Sequence, residues 1–126
     1  MLSLPRSVRV YACTGGVDMR KGFDALGCLV RDVLREDPLS GHLFVFFGRR
    51  FDRAKVLFWS PTGYVIVHKR LERGRFVLPR QVQEGQERLE IDSSELSALL
   101  DGIDLRKARR VPRWEPRGER TMPMCI

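Results

Sequence analysis

GHLFVFFGRRFDRAKVLFWSPTGYVIVHKRLERGRF, running from Gly41 to Phe76, decides the fold. Three apolar runs, Leu43–Phe47, Val56–Trp59 and Tyr64–Val67, are separated by short polar connections, with Gly48, Ser60, Pro61 and Gly63 at the breaks. β-Branched and aromatic residues fill the runs, the pattern of consecutive antiparallel strands joined by hairpins. If the turn Ser60–Gly63 closes the second hairpin symmetrically, Trp59 faces Tyr64, Leu57 faces Ile66, Lys55 faces His68 and Arg53 faces Arg70. All eight then share one side of the sheet, because strand side chains alternate with period two. The other side carries Ala54, Val56 and Phe58 opposite Lys69, Val67 and Val65; being more uniformly apolar near the turn, it is expected to face the long helix placed upstream. The first side joins an aromatic end to a cationic end. Like charges directly opposite one another are destabilising unless an anion or solvent relieves them.

Upstream, Val8–Ala12 reads as a first strand that Thr14-Gly15-Gly16 breaks. Asp18 is placed as a helix N-cap, and Phe23, Leu26, Val30, Val33 and Leu34 recur at helical spacing. The helix is expected over residues 18–36, with Asp37-Pro38 as its stop. Downstream, Phe76–Leu78 reads as a possible fourth strand and residues 81–86 as a loop. Leu89 and Ile91 alternate with acids as a short edge strand. Ser93 or Ser94 is the expected cap of a second helix that Gly102 terminates. The expectation is therefore α+β: an antiparallel sheet of four to six strands, one long helix on one face and a short C-terminal helix. Residues 1–104 form a single domain, and the basic, proline-containing segment 105–126 reads as a mobile tail that orders on a partner.

At 126 residues, 43% apolar and 31% charged, the chain is of ordinary globular composition. Its net charge of +7 is unevenly spread. Residues 49–76 hold eight basic and two acidic side chains, residues 77–104 two and seven, and residues 105–126 seven and two. Two basic blocks suggest a polyanion partner, most commonly nucleic acid, with a solvated charged surface as the plain alternative. No apolar run approaches the roughly 20 residues that span a bilayer. The start, MLSLPRSVRV, lacks a signal-peptide pattern, and Cys13, Cys28 and Cys125 suggest reduced thiols. A cytoplasmic protein without membrane contact is expected.

Catalysis needs a constellation of groups, and none is legible. The two histidines, His42 and His68, lack an orienting carboxylate. Phosphate-loop, dinucleotide and nucleophile-elbow motifs are missing. Asp18, Asp24 and Asp52, the candidate metal carboxylates, read more simply as a cap, a helix surface and charge balance. The expectation is a non-enzyme with no metal or cofactor. Nucleic-acid binding has better support. Arg49, Arg50, Arg53 and Lys55 precede Trp59, and His68, Lys69, Arg70, Arg73 and Arg75 follow Tyr64. The cations could contact phosphates in a salt-dependent way, and an exposed aromatic could stack on a base. Core packing is the other reading of Trp59 and Tyr64. Arg106, Lys107, Arg109, Arg110 and Arg113, with Trp114, could form a second phosphate-tracking arm or a partner-docking segment.

VDMRKGFDAL (Val17–Leu26), SGHLFVF (Ser40–Phe46) and KRLERGRF (Lys69–Phe76) resemble one bacterial family. It is the TnpB-type accessory protein, product of the second open frame of insertion-sequence-sixty-six transposons, distinct from the RNA-guided nucleases that share the TnpB name. The likeness runs from about Leu4 to about Arg113 with order and spacing kept. It departs at Phe51, where a small or polar residue is expected, and at Ser60-Pro61, which replaces an Asp-Gly-like turn. The resemblance implies a non-catalytic accessory role in DNA transposition and recombination, beside a separate transposase that cleaves and joins strands. Its partners would be DNA, at transposon ends or target, and the transposase with other transposon-encoded proteins. The alternative is an adaptor that docks on the transposase without touching DNA. Within the first motif, Arg20 and Lys21 oppose the helix dipole unless a phosphate binds there or Arg20 pairs with Asp24.

Overall fold

The computed structural model describes residues 7–106 and the backbone of residues 109–110. Nine elements follow one another: β1 (Val10–Val17), α1 (Phe23–Asp32), β2 (Leu43–Gly48), β3 (Arg53–Ser60), β4 (Gly63–Arg70), β5 (Arg88–Ile91), α2 (Ser93–Leu100), β6 (Ile103–Asp104) and β7 (Arg109–Arg110). Five strands form one sheet in the order β4-β3-β2-β1-β5. β6 and β7 form a separate two-residue antiparallel ladder.

The sheet is mixed, which corrects the expectation of a wholly antiparallel one. β1 runs parallel to β2, with Val10 beside Leu43 and Ala12 beside Val45. A strand, a helix and a second strand in succession carry the chain across the sheet and back in the same direction, a crossover no hairpin can make. The other three pairings are antiparallel. The expected hairpin register is observed: Arg53 pairs with Arg70, Lys55 with His68, Leu57 with Ile66 and Trp59 with Tyr64. Ser60 pairs with Gly63, and its Oγ donates to the Gly63 carbonyl at 3.0 Å. The edge strand at Leu89 and Ile91 is present as β5. Thr14-Gly15-Gly16 does not end β1; the strand continues to Val17 with a register shift between Ala12 and Gly16. Extra residues in one strand are absorbed as a bulge without losing the pairing beyond it.

Both faces of the sheet are covered. On one side Leu26 and Val30 of α1, with Leu34 just beyond its end, pack against Tyr11, Phe44, Phe46 and Leu57, with Tyr64 and Ile66 at the margin. On the other, Leu96, Leu99 and Leu100 of α2, with Phe76, pack on Val45, Phe47, Ala54 and Val56. Double cover explains why every residue of β2 is buried and why its sequence is continuously apolar. It also corrects the facing of the hairpin. The Ala54–Val56–Phe58 side meets the C-terminal half of the chain, and α1 takes the Leu57–Ile66–Tyr64 side.

The helices depart from expectation at their ends. α1 has ten residues, well short of the 18–36 span, and its N-cap is Gly22 without a side-chain cap bond. Asp18 stands outside the helix because its carboxylate is taken by Arg20, whose backbone N–H donates at 2.9 Å and whose guanidinium donates at 2.8 Å. The stop comes before Pro38. Arg35 adopts a left-handed φ of 58°, and the Glu36 N–H turns back to the Val30 carbonyl. α2 is capped by Asp92, not by a serine. Asp92 accepts from the Glu95 N–H at 2.7 Å, and the Glu95 carboxylate accepts from the Asp92 N–H at 3.0 Å, a reciprocal capping box. Gly102, with φ of 80°, follows α2 and donates to the Leu99 carbonyl. Residues 76–78 form no strand: Phe76 turns inward as a core residue, 3% exposed. The segment read as a mobile tail lies outside the described residues apart from its first two residues and β7.

Candidate nucleic-acid interface

The β2–β3 connection is four residues long and closes tightly. Phe51 takes a positive φ of 57° and its N–H donates to the Gly48 carbonyl at 2.9 Å. Neighbouring Arg49 and Arg50 are thereby held outward and exposed. After β4 the chain returns to this turn. The Leu71 N–H donates to the Asp52 carbonyl at 2.7 Å and the Phe76 N–H to the Phe51 carbonyl at 2.6 Å. Between those two anchors Gly74 adopts φ of 79°, a conformation that other residues adopt only with strain, and the loop swings Arg73 and Arg75 into solvent. Arg53 and Arg70, paired across the hairpin, complete the group. Six exposed arginines therefore crowd one end of the sheet. Among the described residues only Arg70 of the six has a carboxylate partner, Glu72 at 2.9 Å.

Two depressions flank this rim. One, of about 240 Å³, lies between Val17–Met19 and residues 48–53 and includes the carboxylates of Asp18 and Asp52. The other, of about 440 Å³, lies between the β2–β3 turn and residues 75–82. Its lining includes Arg49, Arg50, Arg75, Arg80 and Arg106 and no carboxylate.

Three of the other candidate cations, Lys55, Lys69 and Arg20, have other work. Lys55 is half-buried and its ammonium donates to the backbone carbonyls of Met19, at 2.7 Å, and Lys21, at 2.9 Å. Lys69 donates to the carbonyl of Leu100, one of the unpaired carbonyls at the end of α2. Arg20 is committed to Asp18, whose carboxyl is held well below the usual carboxylate range, chiefly by the hydrogen bond from the Arg20 side chain. Arg20 does not pair with Asp24. Lys21 is half-buried and lines a further depression, of about 340 Å³, between residues 13–18 and α1. His68 is exposed; partial desolvation first, then the charges of Lys55 and Arg53, push its pKa below 6.5.

A family model described as IS66 Orf2 like protein matches residues 8–110. The chain belongs to this family. It is also 43% identical over 116 residues to the uncharacterized protein y4hO of Sinorhizobium fredii, an alignment covering 92% of this chain and 96% of that one. The uncharacterized protein y4jC of the same organism is 34% identical over 116 residues, covering 92% and 97%. No solved structure matches the chain. The resemblance carried by the three motifs is thus shown, and IS66 Orf2-like membership implies a transposition-associated accessory role.

The fold gives these IS66 Orf2-like motifs physical content. Val17–Leu26 leaves β1, makes the Asp18–Arg20 turn and enters α1. Lys69–Phe76 contains the Lys69 contact to α2, the Arg70–Glu72 pair, the Gly74 turn and the Phe76 core anchor. Trp59 and Tyr64 lie at the opposite end of the hairpin from the arginines, half-buried and edge-to-face with centroids 5.2 Å apart. Tyr64 also stacks on Phe23. The interleaving of aromatics and cations along the sequence therefore separates into two ends in space. Arg109 and Arg110 are paired through their backbone with β6; their side chains lie outside the described residues. Asp18, Asp24 and Asp52 do not assemble as a metal site: among the described residues no three His, Cys, Asp or Glu side chains come together.

Sequence reasoning missed Arg80 and Phe51 as cleft residues. Arg80 sits in an acidic segment, and only the fold reveals that Glu95 and the Glu90 carbonyl hold it at the cleft. Phe51 carried the one available signal, a large aromatic in a short polar turn.

Proposed function

We propose that this chain is a non-catalytic accessory protein of transposition that binds DNA through the arginine rim at the β2–β3 end of the sheet. The exposure of Arg49, Arg50, Arg53, Arg70, Arg73 and Arg75 on one short, backbone-tied edge supports this reading. Guanidinium groups suit phosphate oxygens because their planar donor fork matches them two at a time. Contacts of this kind position DNA and carry little sequence information, which fits transposon ends or target DNA held alongside a separate transposase. In this proposal residues 1–104 are the working domain, acting on DNA in the cytoplasm. Residues 105–126, with Arg109 and Arg110, add a second basic arm.

Titration of a labelled duplex at several salt concentrations tests the proposal. Affinity should fall steeply with salt, with a log–log slope of about −0.9 for each phosphate neutralised. Absence of binding at low salt would overturn it. Deleting residues 105–126 should reduce the slope and leave binding by the rim.

A second reading, an adaptor docked on the transposase, rests on a different surface. Phe23 is 50% exposed while stacked on Tyr64, beside half-buried Trp59. This aromatic patch suits a protein partner. Loss of transposase co-purification on Phe23→Ser, with DNA affinity unchanged, would favour that reading.

A further inference from the structure

The larger cleft has a chemistry that a plain phosphate track does not need. Arg49, Arg50, Arg75 and Arg106 surround it, and among the described residues none of these four pairs with a carboxylate. Arg80 also lines it, but its guanidinium is occupied by Glu95 and the Glu90 carbonyl. Between the cations the surface is apolar: Phe51, Leu78 and Val82, half-buried, together with the buried Phe76. Phe51 is held at φ of 57°, a conformation that is an outlier for a bulky side chain and is commonly retained where a ligand is held. Its ring stacks on Phe47 with centroids 5.2 Å apart, which fixes it in place. The volume, about 440 Å³, lies within the range of small-ligand pockets, roughly 300–1,000 Å³.

A duplex presents phosphates outward and keeps its bases stacked inside, so it would satisfy the arginines and leave the apolar floor unused. A nucleotide in a single strand offers both parts at once. We propose that this cleft takes one unpaired nucleotide of single-stranded DNA, its phosphate held by Arg49, Arg50, Arg75 and Arg106 and its base laid against Phe51, Leu78 and Val82. The inference rests on the DNA-binding reading above and adds to it a preference for unpaired DNA, such as a strand end or a melted junction. Aromatic stacking tolerates any base, so the subsite discriminates between paired and unpaired DNA without reading sequence.

Fluorescence anisotropy of the full chain with a labelled oligothymidylate and with a duplex of equal length tests this. Phe51→Leu should weaken single-strand binding about tenfold, in line with the loss of one base–aromatic stack, and change duplex binding less than twofold. Arg75→Gln should weaken both. In the unsubstituted protein, photocrosslinking of a 5-iodouracil strand should map to Phe51 or to residues 75–82, a readout independent of any folding defect in the variants. Equal weakening of both DNA forms by Phe51→Leu would reduce the cleft to a phosphate contact and overturn the inference. Crosslinks confined to other segments would do the same, and in both cases the DNA-binding reading stands. Failure of both DNA forms to bind at low salt would instead remove the DNA-binding reading itself.

Discussion

The ammonium of Lys55 donates a 2.7 Å hydrogen bond to the backbone carbonyl of Met19, fastening β3 to the loop that enters α1. A second bond, to the Lys21 carbonyl, doubles the attachment. Carbonyls at a half-buried site lose a charged donor if Lys55 is removed, and such bonds contribute more than neutral ones. Lys55→Met should therefore lower stability by about 2 kcal/mol in urea denaturation. The salt slope of DNA binding should stay near that of the unsubstituted chain, because the ammonium is already engaged.

The exposed arginines should behave in the opposite way. Arg49→Gln, Arg53→Gln and Arg73→Gln together touch no buried contact, so the melting temperature should change little. If each guanidinium neutralises one phosphate, the log–log salt slope should flatten by about 2.7. An unchanged slope would remove these three from the contact and leave it to Arg50, Arg70 and Arg75 or to the segment beyond residue 106.

Gly16 is a packing position. A Cβ there would lie 2.8 Å from the Cα of Arg49, a backbone atom that cannot swing aside. Gly16→Ala should push β1 away from the residues following β2 and cost about 1–3 kcal/mol. Gly15→Ala is the control, since nothing lies within 4 Å of its added Cβ. Comparable urea midpoints for the two variants would contradict this packing.

His68 titrates in a cationic setting. Its folded pKa is pushed below the ordinary 6.5 by desolvation and by Lys55 and Arg53, so the unfolded chain takes up the proton first as pH falls. Stability associated with this group is present above pH 6.5 and is lost as pH drops through the folded value. His68→Gln should reduce the fall in melting temperature between pH 7 and pH 5. If DNA held at the rim reaches His68, which lies two residues before Arg70 on β4, phosphate favours the imidazolium, and binding should strengthen on acidification in the unsubstituted chain and less so in the variant.

Asp92 anchors the capping box of α2, and the bonds it accepts, first from the Glu95 N–H and then from Ser94, lower its pKa. Asp92→Ala should cost about 1 kcal/mol, and Asp92→Asn, which can still accept from the Glu95 N–H, much less. Because the folded pKa lies below the unfolded 3.8, the stability from this cap is present above that pH and fades as pH falls further.

The sequence alone determined the hairpin of β3 and β4 residue by residue, because a two-residue turn and a period of two leave a single symmetric pairing. It also determined the edge strand, the two helices as segments and the family, each through local spacing or through motifs in series. It did not settle that β1 runs parallel to β2: the continuously apolar β2 and the strand–helix–strand order allow that pairing, but the partner and its direction are chosen across a helix and not by local spacing. The helix ends were misread for a related reason: Asp18 has the composition of a cap, but Arg20 competes for the same carboxylate. Only the tertiary structure decided which cations are free. Lys55, Lys69 and Arg80 look like Arg49, Arg53 and Arg75 in sequence, yet the first three meet carbonyls or a carboxylate far along the chain, and the second three meet solvent. That partition depends on distances between segments, a quantity that charge and spacing along the chain do not contain.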